Sequence, residues 1–222
     1  MTTPEKSLFY VALAFAVIYV ASPIVGPLPG GFAVKAVPAL ALSFLILIAV
    51  GGIAGKLLFV ALLFCAAGDV ALALEGEQFF VIGLAFFLIA QLFFIATFSR
   101  ELRRRKSRLP VVAVLVVYAA VMALALKPSL GELMIPVFAY IGVITTMGVF
   151  AALRAAESRV VLYGALSFII SDSLIAINEF AASIPASSYM IMATYYSALF
   201  LISIGYVRDH RRLNVAAQSS QD

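Results

Sequence analysis

The chain reads as an all-α integral membrane protein, an eight-helix transmembrane bundle with cytoplasmic N- and C-termini. Three observations predict this. First, 64% of the 222 residues are hydrophobic and only 12% are charged. Soluble domains are about half apolar and about a quarter charged. The mean hydropathy of +1.13 agrees. Second, the sequence divides into eight apolar runs, each near the roughly 20 residues needed to cross a bilayer. Third, the basic residues gather on alternate connections.

The expected spans are about 8–24, 33–50, 57–74, 79–99, 110–127, 133–153, 160–179 and 187–207. Pro23, Gly26, Pro27, Pro29, Gly30 and Gly31 break the first run from the second. Gly51, Gly52 and Gly55 end the second, and Glu75-Gly76-Glu77 the third. The basic stretch 100–108 follows span four, and Lys127-Pro128 with Gly131-Glu132 follows span five. Residues 154–159 and 179–185 make the last two breaks. Residues 1–212 thus form one eight-span domain, and 213–222 are expected to be a polar, disordered tail. Ala21-Ser22 offers small residues for signal cleavage, but the topology favours retention of span one.

With the N-terminus inside, 13 of the 15 basic residues fall on the inner side. They are Lys6, Lys56, Arg100, Arg103, Arg104, Arg105, Lys106, Arg108, Arg154, Arg159, Arg208, Arg211 and Arg212. Only Lys35 and Lys127 fall outside, while Glu75, Glu77, Glu132 and Glu179 lie on the outer side. This is the positive-inside pattern of a multi-pass protein of the inner (plasma) membrane. The basic cluster is therefore a topology signal that touches anionic lipid, and nucleic acid is not an expected partner. Spans three and seven each carry an aspartate, and spans two and six each carry a proline, Pro38 and Pro136. Four spans per half would make a parallel 4+4 repeat. Duplication and coincidence explain this echo equally well.

Two acidic signatures interrupt the apolar runs, Gly68-Asp69 and Ser171-Asp172. An ionisable side chain within a span is costly, and it normally faces a bundle interior or a water-filled cavity. By helix rise, both aspartates are expected roughly 8–10 Å below the outer boundary. A common depth lets them share one site if spans three and seven are neighbours. The competing reading has each aspartate bond a neighbouring helix independently. Lys35 begins span two on the outer side, where it either snorkels to the interface or offers its charge to a phosphate headgroup. Gln91 is the one amide within span four, and a buried amide needs partners.

Tyr195, in the outer half of span eight, lies deep enough to donate to a carboxylate, whereas Tyr163 reads as an interfacial belt residue. Asp172 and Glu179 are seven residues apart and share a helix face. With Ser171, Ser173 and Asn178 they suggest a polar stripe leading outward. Candidate catalytic residues are thus Asp69 and Asp172, with Lys35, Gln91, Tyr195, Asn178 and Glu179 as substrate-binding candidates. The sole histidine, His210, lies beyond the last span, which excludes Ser-His catalysis within the bundle. Neither a His/Cys metal cluster nor a Gly-rich phosphate loop is present, so neither metal nor cofactor is expected. Cys65 is the single cysteine and cannot form an intrachain disulfide.

Taken together, these segments resemble the YhhN-like family, the integral-membrane lysoplasmalogenases. The resemblance runs through VKAVPAL (34–40), LLFCAAGDVALAL (62–74), FFVIGLAFFLIAQLFF (79–94), YGALSFIISDSLIAI (163–177) and TYYSALFLI (194–202). The family pattern has a Lys-Pro-type start to span two, Gly-Asp in span three and Phe-x-x-Gly opening span four. Ser-Asp in span seven and Tyr-Tyr in span eight complete it. This chain departs from it at Gln91 and Phe94, where His and Tyr are common, and at Leu199, where Gln is frequent. Proline follows Lys35 only at Pro38.

The resemblance implies hydrolysis of the vinyl-ether bond of a lysoplasmalogen, a lysophospholipid substrate drawn from the bilayer. The products are a fatty aldehyde and a glycerophospho-head group. Vinyl-ether cleavage begins with a proton delivered to carbon and leaves an oxocarbenium ion that water captures. Two carboxyl groups in different protonation states suit that task, as they do the related oxocarbenium problem of glycosidases. The alternative is a small transporter or lipid flippase using the aspartates as proton or cation sites. A third reading, an intramembrane aspartyl protease, fits the flanking pattern less well.

Overall fold

The computed structural model describes residues 1–25, 30–74, 76–102, 106–156 and 158–218. Eight helices run along the chain: α1 (Thr3–Val25), α2 (Gly31–Ala49), α3 (Gly52–Ala71), α4 (Glu77–Ser99), α5 (Leu109–Leu126), α6 (Met134–Leu153), α7 (Val160–Phe180) and α8 (Ser187–Gln218). Each is long and apolar enough to cross a membrane. A helix satisfies every backbone hydrogen bond within itself, so runs of this composition have little alternative in lipid. Among the described residues the only strand-like pairing is one isolated bridge between Leu102 and Arg154.

Three boundaries differ from the sequence reading. α1 begins at Thr3 and takes in Glu5 and Lys6. α3 begins at Gly52, whose φ of 74° needs glycine, so Gly55 and Lys56 lie inside the helix rather than in a loop. α8 continues through Gln218, so residues 213–218 are helical where a polar tail was expected. Residues 219–222 lie outside the described residues, as do Arg103, Arg104 and Arg105 of the basic stretch.

Six helices close a ring in the order α2, α3, α4, α6, α7, α8 and back to α2. α1 leans on the outside of α2 and α8, and α5 on the outside of α6 and α7. α4 and α5 are consecutive in sequence yet make at most marginal contact with each other. α5 buries only Leu115 and Leu126, so most of its surface faces lipid. The ring's interior is aromatic, with Phe94 stacked on Phe98 and edge-on to Phe168. α7 and α8 pack closest of all. At Gly164 a Cβ would lie 2.8 Å from the Ile202 nitrogen, so only glycine lets the two backbones approach.

An even number of spans returns α8 to the end where α1 begins. Arg211 closes that end by pairing with Glu5 at 2.5 Å. A second charge cluster ties the α4–α5 and α6–α7 connections to α8. The buried Arg154 pairs with Glu101 at 2.6 Å and Asp209 at 3.2 Å. Tyr206 donates to the other Glu101 oxygen at 2.6 Å, and its ring lies 4.6 Å below the Arg154 guanidinium. The aspartates lie at the opposite end, where α1–α2, α3–α4, α5–α6 and α7–α8 connect.

Candidate active site

Asp69 sits in the last turn of α3, not five residues below its end as the sequence suggested. Leu72, Ala73 and Leu74 leave the helix through tightened turns, with Ala73 and Leu74 each bonding back three residues. Asp69 is nonetheless buried, with 1% exposure. Asp172 lies eight residues before the end of α7 and is partly buried. α3 and α7 do not pack directly against each other to any extent. They face across the ring interior, and both aspartates line one small cavity.

Each carboxylate is held by a tyrosine from a third helix. The Tyr195 hydroxyl of α8 donates to Asp69 Oδ2 at 2.7 Å. The Tyr140 hydroxyl of α6 donates to Asp172 Oδ2. In both cases Oδ1 takes no hydrogen bond from the described residues, which leaves it open to the cavity. The environments then diverge. Lys35 of α2 is 8% exposed, lines the same small cavity, and acts electrostatically on Asp69. Its ammonium makes no hydrogen bond or ion pair among the described residues. Asp172 has no such cation beside it. It also lines a second, larger and almost wholly apolar cleft between α4, α5, α6 and α7.

The motif residues beside the aspartates explain themselves. A Cβ on Gly68 would stand 2.7 Å from Phe87 Cε2, so glycine is what admits the Phe87 ring against α3. That ring packs edge-on to Tyr195, with centroids 5.7 Å apart. Gly83, in the Phe-x-x-Gly opening of α4, makes room for Leu72 in the same way, with 2.6 Å to Cδ2. Ser171 stitches α7 to α8 by donating to the Ile191 carbonyl at 3.1 Å. Tyr196 donates to the Lys35 carbonyl at 2.9 Å and so fixes α2 where the lysine leaves it.

Not every candidate joins the site. Gln91 is fully buried, and its amide faces the Tyr140 hydroxyl without closing a hydrogen bond of ordinary geometry. It stands behind the Asp172–Tyr140 pair and lines neither cavity. Asn178 is spent on the chain itself, accepting the Ile184 N–H at 3.1 Å to close the α7–α8 turn. Glu179 is exposed. The expected polar stripe thus reaches no further than Ser173, which lines the cleft while bonding back to the Ile169 carbonyl at 2.6 Å, because the α7–α8 turn takes up Asn178. Tyr140 was missed. Its signal is a lone hydroxyl in the middle of the span-six run VFAYIGV, where an unpaired polar group is unfavourable.

Comparison with known proteins places the chain. It is 32% identical over 172 residues to human lysoplasmalogenase TMEM86A, covering 72% of this chain and 70% of that protein. It is 32% identical over 181 residues to the lysoplasmalogenase of Mycobacterium tuberculosis, covering 76% of this chain and 69% of that protein. Human lysoplasmalogenase TMEM86B is 31% identical over 176 residues, 79% of this chain and 74% of that protein. No solved structure matches the chain. The YhhN family profile spans residues 31–206, from the first turn of α2 to Tyr206 of α8, and so contains the ring and both aspartates: the chain belongs to the YhhN family.

Proposed function

We propose that this chain is a lysoplasmalogenase, hydrolysing the vinyl-ether bond of a lysophospholipid within the bilayer. The observation that carries the reading is that Asp69 and Asp172 line one cavity, each oriented by its own tyrosine and each with an Oδ1 that no described residue hydrogen-bonds. The relatives' names point to the same reaction. Metal-assisted hydrolysis is not needed for it.

The unequal surroundings support a division of roles between the two carboxyl groups. Asp172, facing the apolar cleft, is the protonated acid, and Asp69, facing Lys35, is the ionised partner. Asp172 delivers its proton to the alkenyl carbon remote from oxygen, and the carbon next to oxygen becomes an oxocarbenium centre. Asp69 stabilises that cation and takes a proton from the water that adds to it. The resulting hemiacetal collapses as Asp69 returns its proton to the departing glycerol oxygen and the hemiacetal hydroxyl reprotonates Asp172. Both groups are reset, and the products are an aldehyde and a glycerophospho-alcohol. Tyr140 and Tyr195 hold the two carboxyl groups in register.

The chain is further proposed to lie in the inner (plasma) membrane with both termini cytoplasmic, as the basic residues suggest. Purified protein in detergent, given alkenyl lysophosphocholine, is expected to release fatty aldehyde and glycerophosphocholine, read by mass spectrometry. A transporter needs two compartments and a hydrolase does not. Absence of turnover by folded protein would refute the hydrolase.

A further inference from the structure

We infer that the apolar cleft between α4, α5, α6 and α7 is the binding slot for a single aliphatic chain, reached from the bilayer through the gap between α4 and α5. The inference rests on the reading of the aspartates as a vinyl-ether hydrolase. The two cavities are not independent. They share Leu72, Phe87, Asp172 and Ile175, which form a neck between them. On one side of the neck stand Lys35 and Asp69, a cation and a carboxylate. On the other, the lining is aliphatic and aromatic, with Leu84, Tyr118, Met122 and Ile144 among it. A lysolipid has the same division, a phosphate headgroup at one end and one hydrocarbon chain at the other. The bond that joins them is the vinyl ether. Headgroup toward Lys35 and chain in the cleft put that bond at the neck, beside Asp172.

The dimensions fit one chain. Along α7 the cleft runs from Ile169 to Phe180, twelve residues with about 16 Å of rise between them, about 12 Å of it between Asp172 and Phe180. The full rise is close to half of the ~30 Å hydrocarbon core, the depth of one leaflet. The portal follows from the packing. Among the described residues α5 packs mainly on α6 and α7, while α4 packs mainly on α3 and α6. Between them the cleft has Leu84 and Phe80 on one wall and Ala119 and Met122 on the other. A lipid can therefore slide its chain in sideways without leaving the membrane. A second chain on the same glycerol would have to pass the same neck, so lyso forms are the expected substrates.

Two measurements test the slot. Ala119 is a small side chain on the α5 wall, and Ala119→Phe narrows the cleft while leaving both aspartates and their tyrosines unsubstituted. It is expected to lower kcat/KM for an octadecenyl lysophosphocholine by about tenfold or more, the equivalent of roughly two buried methylenes. The hexenyl analogue should change by less than about twofold on the same scale. An unchanged ratio between the two chains would overturn the slot. The second measurement needs no hydrolysis. A saturated alkyl-ether lysophosphocholine with a diazirine near the chain end is photolysed with wild-type protein, and the adduct is mapped by mass spectrometry. Labelling of the 80–87 or 118–126 segments is expected, whatever the folding of the variant. Labelling confined to α1 or α8 would refute the slot even in an active enzyme. Labelling at α5 in a protein that hydrolyses no vinyl ether would keep the slot and refute the reaction.

Discussion

Adding one methyl group at Gly68 tests whether the glycine before Asp69 serves the site or merely the helix. The new Cβ would lie 2.7 Å from Phe87 Cε2, 2.8 Å from Cδ2 and 3.0 Å from Cζ. Carbon atoms rest about 3.5–4.0 Å apart, so the ring must retreat by about 1 Å. It cannot do so freely, because it packs edge-on against Tyr195 and Phe168, with centroids 5.7 Å and 6.2 Å away. Overpacking of this kind costs about 1–3 kcal/mol. Replacing glycine by alanine within a helix returns about 1 kcal/mol of that. The net loss of stability is therefore small, about 0–2 kcal/mol. Activity should respond far more. Tyr195 orients Asp69 through its 2.7 Å hydrogen bond, and a misplacement of about 1 Å at a reacting group costs on the order of a hundredfold. Gly68→Ala is thus expected to lose about a hundredfold in aldehyde release with only a small change in melting temperature. Adding Phe87→Leu removes the ring atoms that clash and should restore at least about tenfold. Gly68→Ala protein within about twofold of wild type would refute this chain of contacts, as would a double variant no better than the single one.

Three further outcomes follow from the same geometry. Asp69→Asn and Asp172→Asn should each abolish most activity while retaining fold, and the double variant should be hardly worse, because groups acting as a unit are non-additive. Losses that instead appear as additive drops in melting temperature would return both aspartates to helix packing. Lys35→Met should lower kcat/KM for an alkenyl lysophosphocholine by about tenfold while sparing an alkenylglycerol without phosphate, since only the former has an anion to lose. Equal losses on both substrates would remove the phosphate contact and leave Lys35 as a partner of Asp69 alone. Arg154→Met leaves Glu101 and Asp209 facing each other without their cation, and breaking a buried pair costs about 3–5 kcal/mol. Thermal unfolding should show that loss, while turnover per folded molecule stays near wild type because the cluster lies at the far end of the bundle.

The sequence exposed the fold because membrane solvation leaves so little choice. An apolar run of about 20 residues has to be a helix, so eight runs gave eight helices. Helix ends were harder. Gly52 and Gly55 read as breakers, yet Gly52 opens α3 in a positive-φ conformation and Gly55 lies within its first turn, where the Val50 carbonyl leaves no room for a Cβ. α8 outruns its apolar stretch because Asp209 and Arg211 are anchored by Arg154 and Glu5 from distant parts of the chain. Such long-range partners are invisible to a local hydropathy window. Asp69 and Asp172 stood out because nothing nearby in sequence compensates a carboxylate in lipid. Asn178 looked equivalent, but a single backbone N–H at Ile184 satisfies it.

Tyr140 shows why the site was only half legible, and the reason extends to how it works. In this bundle the donors that position the two carboxyl groups come from other helices, Tyr195 of α8 and Tyr140 of α6. Tyrosine suits that task, because its ring fills apolar space while its single hydroxyl reaches one acceptor. In a lipid-facing sequence such a residue looks like any other aromatic, and only its partner marks it out. The ring order of helices then decides which partner it finds. α8 lies beside α2 and brings Tyr195 to Asp69 while Tyr196 pins Lys35. α6 lies beside α7 and brings Tyr140 to Asp172 on the side of the apolar cleft. The two aspartates are therefore distinguished by their neighbours and not by their own sequence contexts. On the proposed reading, an acid beside hydrocarbon and a carboxylate beside a cation suit proton delivery to carbon followed by capture of a cation.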